Sequence, residues 1–172
     1  MPAGTEIARW IVAGFVLLVL VIASANDVKE RRIPNWSVVA IGGLYLVWAA
    51  LGPIASVVSG VEAAAIVFAV TVGLFALSVV GAGDSKLMTV VALFSGLGLL
   101  PLFVISTVLF GGAIAVFSLA LQPRRALAML LTRRIGDSDR GVPYGIAISM
   151  GGALVLMHQL SCVSSDPRFV CF

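Results

Sequence analysis

Charge is what this chain lacks. Only 11% of its 172 residues are charged, while 60% are hydrophobic. A water-soluble domain carries about 25% charged residues, so a freely soluble fold is excluded, and the mean hydropathy of +1.14 agrees. Cysteine and histidine are scarce: Cys162, Cys171 and His158 are all there is of either. That scarcity excludes a thiolate or imidazole metal centre of recognisable spacing, and neither a metal nor another cofactor is expected. There is no P-loop, heptad repeat or low-complexity tract. The net charge of +3 lies in short polar loops, which fits membrane orientation and not a nucleic-acid surface.

Long apolar runs are what is present. About six have helical spanning length: Ile7–Ala25, Trp36–Leu51, Val61–Val80, Leu87–Leu100, Leu102–Leu121 and Val142–Leu160. A span needs about 20 residues, so the second and fourth are short unless they tilt, break or extend into flanking residues. The runs are continuous and show no period-two alternation, which excludes a membrane barrel. The expected fold is all-α: a polytopic membrane helical bundle forming one domain over residues 1–172. The first run is long enough to span, and its basic flank follows it, so it reads as a permanent helix and not a signal peptide.

Basic residues orient the bundle. Lys29, Arg31, Arg32, Lys86, Arg124, Arg125, Arg133, Arg134 and Arg140 follow the first, third and fifth runs, and only Arg9 and Arg168 fall on the other side. The positive-inside rule then puts both termini outside and the loops after those three runs in the cytoplasm. Cys162 and Cys171 would both lie outside, where a disulfide between them is possible; two unpaired thiols are the alternative. Within the polar stretch after the fifth run, Ala126–Leu131 is apolar between arginine pairs, as expected for a short piece lying on the inner leaflet.

Against this background two acids stand out. Asp27 follows the first run and opens Asp27-Val28-Lys29-Glu30-Arg31-Arg32-Ile33-Pro34-Asn35; Asp84 follows the third, in Gly81-Ala82-Gly83-Asp84-Ser85-Lys86. Ionisable groups at the edge of a hydrocarbon layer are costly and often mark function. Gly81 and Gly83 remove side chains beside Asp84, which admits a close neighbour and weakens the helix locally. Each acid taken alone also reads as a solvated charge at a helix end. Together they end spans on one side of one membrane, and packing of the first span on the third would bring them into contact. Two carboxyls that close share a proton, which equips them to activate water against an amide.

Their neighbours have two readings each. Pro34 biases Ile33 away from helix, and Asn35 is placed to cap the second span. Lys86 either holds substrate near the acids or snorkels to the interface. Pro143 suits a first helical turn and Gly145 tight helix packing, while Tyr144 belongs either to an aromatic belt or to the rim of a site.

The combination of Asp27, Arg32-Ile33-Pro34-Asn35, Gly81-Ala82-Gly83-Asp84-Ser85-Lys86 and Val142-Pro143-Tyr144-Gly145 resembles the type IV prepilin peptidases, membrane aspartyl proteases of the GxGD type. The resemblance covers nearly the whole chain. It implies that Asp27 and Asp84 are the catalytic pair, with Gly81, Gly83, Lys86, Pro34, Asn35 and Tyr144 shaping the site. It further implies a prepilin-like membrane protein as substrate, cut after its basic leader at the cytoplasmic face of a prokaryotic inner membrane. The larger members that also methylate carry an additional cytoplasmic segment with paired cysteines, which this chain lacks; it is more similar to the compact peptidases of Flp (tight-adherence) pili. The alternative function is a small proton- or cation-coupled transporter or channel using the same acids, and a non-catalytic subunit of a pilus machine ranks below both.

Overall fold

A computed structural model describes residues 3–121 and 144–165. Among these the chain forms five helices and no strand: α1 (Ala3–Glu30), α2 (Asn35–Ala50), α3 (Ile54–Ala76), α4 (Ala82–Leu121) and α5 (Tyr144–Ser165). Four contain apolar stretches long enough to cross a membrane, namely Gly4–Glu30, Ile54–Ala76, Ala82–Ser118 and Tyr144–Cys162; Asn35–Ala50 is shorter. Large apolar side chains cover the outside, among them Phe15, Val39, Leu46, Phe68, Leu109 and Phe117. Such a surface would be a liability in water. It is what a multi-pass membrane bundle presents to lipid.

The boundaries differ from those expected. The polar string after the first run does not begin a loop at Asp27; α1 continues to Glu30, and Arg31 ends it in a left-handed conformation (φ 55°). The third span begins earlier and ends earlier than Val61–Val80, which leaves Asp84 in the first turn of the next helix. The expected division between Leu100 and Leu102 is displaced as well. Pro101 lies inside α4, and the break is at Gly96, whose φ of 57° and ψ of 179° are open essentially to glycine alone.

That break reverses the chain. Val91 lies where a side chain on Gly152 would meet it, and Thr107 where one on Gly151 would. A straight helix would hold positions 91 and 107 about 24 Å apart, yet both reach adjacent residues of α5. Residues 82–95 and 97–121 therefore run antiparallel. Groups freed by the interruption find partners elsewhere: Leu97 N–H donates to Ser59 Oγ of α3 at 2.8 Å, and buried Gln159 Nε2 of α5 donates to the Phe94 carbonyl at 2.6 Å. A buried backbone group left unpaired would be costly, so these two side chains make the reversal tenable.

Packing centres on Phe94. Tyr45 and Trp48 of α2 meet its ring edge-on at 5.3 and 5.9 Å, a geometry worth about 0.5–1.5 kcal/mol per pair. Phe103, Leu20, Ile41, Leu87, Ile148, Leu156 and Leu160 complete a solvent-free interior. In lipid no hydrophobic force draws helices together, so close approach through small residues matters. Along α3 the buried face is Gly60, Ala63, Ala64, Val67 and Thr71, and a Cβ on Gly60 would sit 2.5 Å from the Leu93 carbonyl oxygen. At the end of α2 away from the acids, Arg9 donates to the Leu51 carbonyl at 2.9 Å and lies 5.4 Å from the Trp48 ring centre.

The expected contact of the first span with the third does not occur. α1 packs on α2 and α5, α3 packs on α4, and no Cα of α1 comes within 8 Å of one in α3 or α4. Two helices join the halves: α5 lies against both α1 and α4, and α2 packs on α1, α3 and α4.

Candidate active site

Asp27 occupies the last turn of α1 and is buried, with 7% of its surface exposed. Its hydrogen-bond partner is a helix end: Gly145 N–H, at the start of α5, donates to Asp27 Oδ2 at 2.9 Å. The unpaired N–H groups and dipole of a helix N-terminus make it a natural seat for a carboxylate. Only glycine fits there, because a Cβ on residue 145 would lie 2.8 Å from Oδ2, 3.0 Å from Cβ and 3.1 Å from Cγ of Asp27. One turn deeper, Ser24 Oγ and Ser149 Oγ are 2.7 Å apart, and Ser24 also reaches the Gly145 carbonyl at 3.2 Å. These contacts clamp α1 to α5 beside the acid.

Asp84 is the third residue of α4. Its carboxylate accepts a hydrogen bond from the Gly81 backbone, and Ser85 N–H donates to the Gly81 carbonyl at 3.0 Å. The second is the first ordinary helical bond; the first is one half of a capping box, the acid satisfying a donor that the helix start leaves free. A Cβ on Gly81 would fall 3.1 Å from Asp84 Oδ2, and one on Gly83 would fall 3.3 Å from Ile33 Cβ. The two glycines thus make room for the acid itself and for the loop between α1 and α2. The close neighbour admitted at Gly83 is the Ile33 side chain, not another backbone.

Asp27 and Asp84 lie within electrostatic reach of each other, although their helices do not touch backbone to backbone. The first turn of α5 borders the region of both. Its Gly145 holds Asp27, and its Tyr144 lines, together with Asp84, a cavity of about 370 Å³. The rest of that lining is mainly apolar and comes from α3, both arms of α4 and α5, including Val67, Thr71, Met88, Val104, Thr107 and Ile148. Tyr144 is 44% exposed and rests against Gly111, so it belongs to the wall beside an acid as well as to the surface.

Other expected site residues are arranged differently. Asn35 does not cap α2; Pro34 is the N-cap residue, with no side-chain cap, and Ser37 Oγ turns back to the Pro34 carbonyl at 2.7 Å. The Asn35 side chain accepts instead from Lys86 Nζ at 3.3 Å. Lys86 therefore links the starts of α2 and α4 and does not contact the acids. Pro143, Cys171 and the Ala126–Leu131 piece lie outside the described residues.

Gly145, Ser24 and Ser149 were not identified from sequence as parts of the site. A pattern for them exists: Ser24 lies three residues before Asp27, and Gly145 and Ser149 are four apart, hence on one helix face. Nothing in the sequence says that those two faces meet.

Comparison with known proteins bears on this geometry. The model of the type IV leader peptidase family matches residues 14–116, a segment that contains both acids. No curated protein and no solved structure gave a significant match.

Proposed function

This chain belongs to the type IV leader peptidase family, and from that premise we propose that it is an aspartyl endopeptidase whose acid pair is Asp27 and Asp84. Its proposed substrate is a prepilin-like membrane protein, cut between a basic leader and the mature apolar helix. The observation that carries the reading is that two sequence-distant carboxyls, one buried and one on the wall of an apolar cavity, come within electrostatic reach of each other.

The chemistry follows from their proximity. Two carboxyls at short range hold one proton between them. The ionised member takes a proton from water as its oxygen attacks the scissile carbonyl carbon, and the protonated member gives its hydrogen to the carbonyl oxygen. The resulting diol collapses: the now ionised acid takes a proton from a diol hydroxyl, the C–N bond breaks, the other acid gives its proton to the leaving nitrogen, and the carboxylic acid product forms, which restores the pair's single proton. Asp27 Oδ2 is engaged by Gly145, which leaves Oδ1 for this exchange.

Orientation supports the same reading. Lys29, Arg31, Arg32 and Lys86 are grouped at the end that carries the acids, while Arg9 is at the other. We read the bundle as six crossings, counting the two arms of α4 separately, with both termini outside and the acids at the cytoplasmic face of a prokaryotic inner membrane. A bond between a leader and an apolar helix lies at that depth. A transport relay would draw on acids nearer the midplane, whereas both of these stand at helix ends. Among substrates, a Flp-type prepilin fits the compact architecture.

The test is processing of a co-expressed prepilin, read as a mobility shift. Asp27→Asn and Asp84→Asn are each expected to lower processing by at least about 10²-fold, the lower range for loss of acid–base catalysis, with normal membrane insertion. Processing at the unsubstituted rate by either variant excludes the pair.

A further inference from the structure

We infer that Gly145 is the positioning residue of the acid pair: its N–H and its missing side chain fix where Asp27 stands relative to Asp84. The inference rests on the acid-pair reading and adds what sets the pair's geometry. α1 and α4 share no backbone contact within 8 Å, whereas α5 and α2 each lie against both. The separation of the acids is therefore set through intermediary helices and not by direct packing of those that carry them, and of the intermediaries α5 hydrogen-bonds Asp27 directly. Within α5 the setting falls to the first turn. Gly145 N–H holds Oδ2 at 2.9 Å, Tyr144 shares the cavity wall with Asp84, and the Ser24–Ser149 contact at 2.7 Å stops α1 sliding along α5.

Tolerances here are small. A methyl group at position 145 would lie 2.8–3.1 Å from three atoms of Asp27, where ordinary contact begins at 3.4 Å. Asp27 must then shift and lose its N–H donor. Misplacement of a catalytic group by about 1 Å costs on the order of 10² in rate.

The test uses the full chain in lipid nanodiscs with a prepilin substrate. Gly145→Ala is expected to lower kcat on the order of 10²-fold while KM stays at the unsubstituted value, because the apolar substrate surface is untouched. Gly152→Ala serves as the packing control on the same helix: its Cβ would meet Val91 Cγ1 at 2.7 Å, away from Asp27, and its kcat should hold. A second measurement needs no substituted glycine. In protein labelled with ¹⁵N-glycine, the Gly145 amide resonance should titrate with the Asp27 carboxyl, and this response should vanish in Asp27→Asn. The other titratable or charged groups around Asp27 are Asp84 on α4, Tyr144 on α5, and Lys29, Glu30 and Arg31 on its own segment, so the loss in Asp27→Asn identifies the source.

An unsubstituted kcat in Gly145→Ala, or a Gly145 amide blind to Asp27, overturns the inference. Processing by Asp27→Asn would instead overturn the acid-pair reading, and the amide titration would still report on the contact.

Discussion

The Gly145 backbone N–H reaches Asp27 Oδ2 at 2.9 Å across 118 positions of sequence. Together with the Ser24–Ser149 contact at 2.7 Å, it links the N-terminal helix to the C-terminal one at the acid-bearing end. A helix start thus neutralises part of a charge that would otherwise stand uncompensated among apolar side chains. The same turn carries Tyr144 onto the wall that Asp84 shares. Two acids on helices without backbone contact are in this way tied to the start of a third helix.

The chain reversal that completes this arrangement depends on Gly96. An L-residue at φ 57°, ψ 179° is strained by about 1–3 kcal/mol. Gly96→Ala is expected to lower the thermal unfolding midpoint in detergent by about 2–12 °C on the usual scale. An unchanged midpoint would mean that the break tolerates a side chain, and would contradict the reversal described for α4.

Lys86 provides a contrast. Its Nζ contact with Asn35 Oδ1 is long, 3.3 Å, and exposed, so its net worth is about 0.5–1 kcal/mol at most. Lys86→Met is expected to process prepilin within about fivefold of the unsubstituted rate, since that is what such an energy allows. A loss resembling that of an acid substitution would instead put Lys86 in the chemistry.

Composition and the continuity of the apolar runs made the fold class legible: a chain 11% charged points to lipid, where only helices and closed barrels satisfy the backbone, and runs without alternation leave helices. The two acids were legible for the same reason: each is an isolated cost that needs a cause. Boundaries were less so. Hydropathy does not distinguish Leu97 inside a second arm from Leu97 inside a continued helix, and the proline at 101 is a more familiar breaker than the glycine at 96. Pairing of helices was not legible at all. Contact of the first span with the third was the simplest way to join the acids, and the actual route through α5 rests on one missing Cβ at Gly145, which in sequence looks like any other packing glycine.

The measurement closest to the centre of the account is a cross-link between positions 27 and 84 in a protein whose Cys162 and Cys171 are replaced by Ser. A direct disulfide requires Cα atoms within about 7 Å, and no Cα of α1 lies within 8 Å of one in α4, so a short bifunctional thiosulfonate is the suitable reagent. In Asp27→Cys/Asp84→Cys, intact mass spectrometry should find the two positions bridged within one chain, in membranes and before any substrate is added. Full modification of both thiols by separate reagent molecules, with no bridged species, would show that the two positions do not face each other and would contradict the shared-proton site.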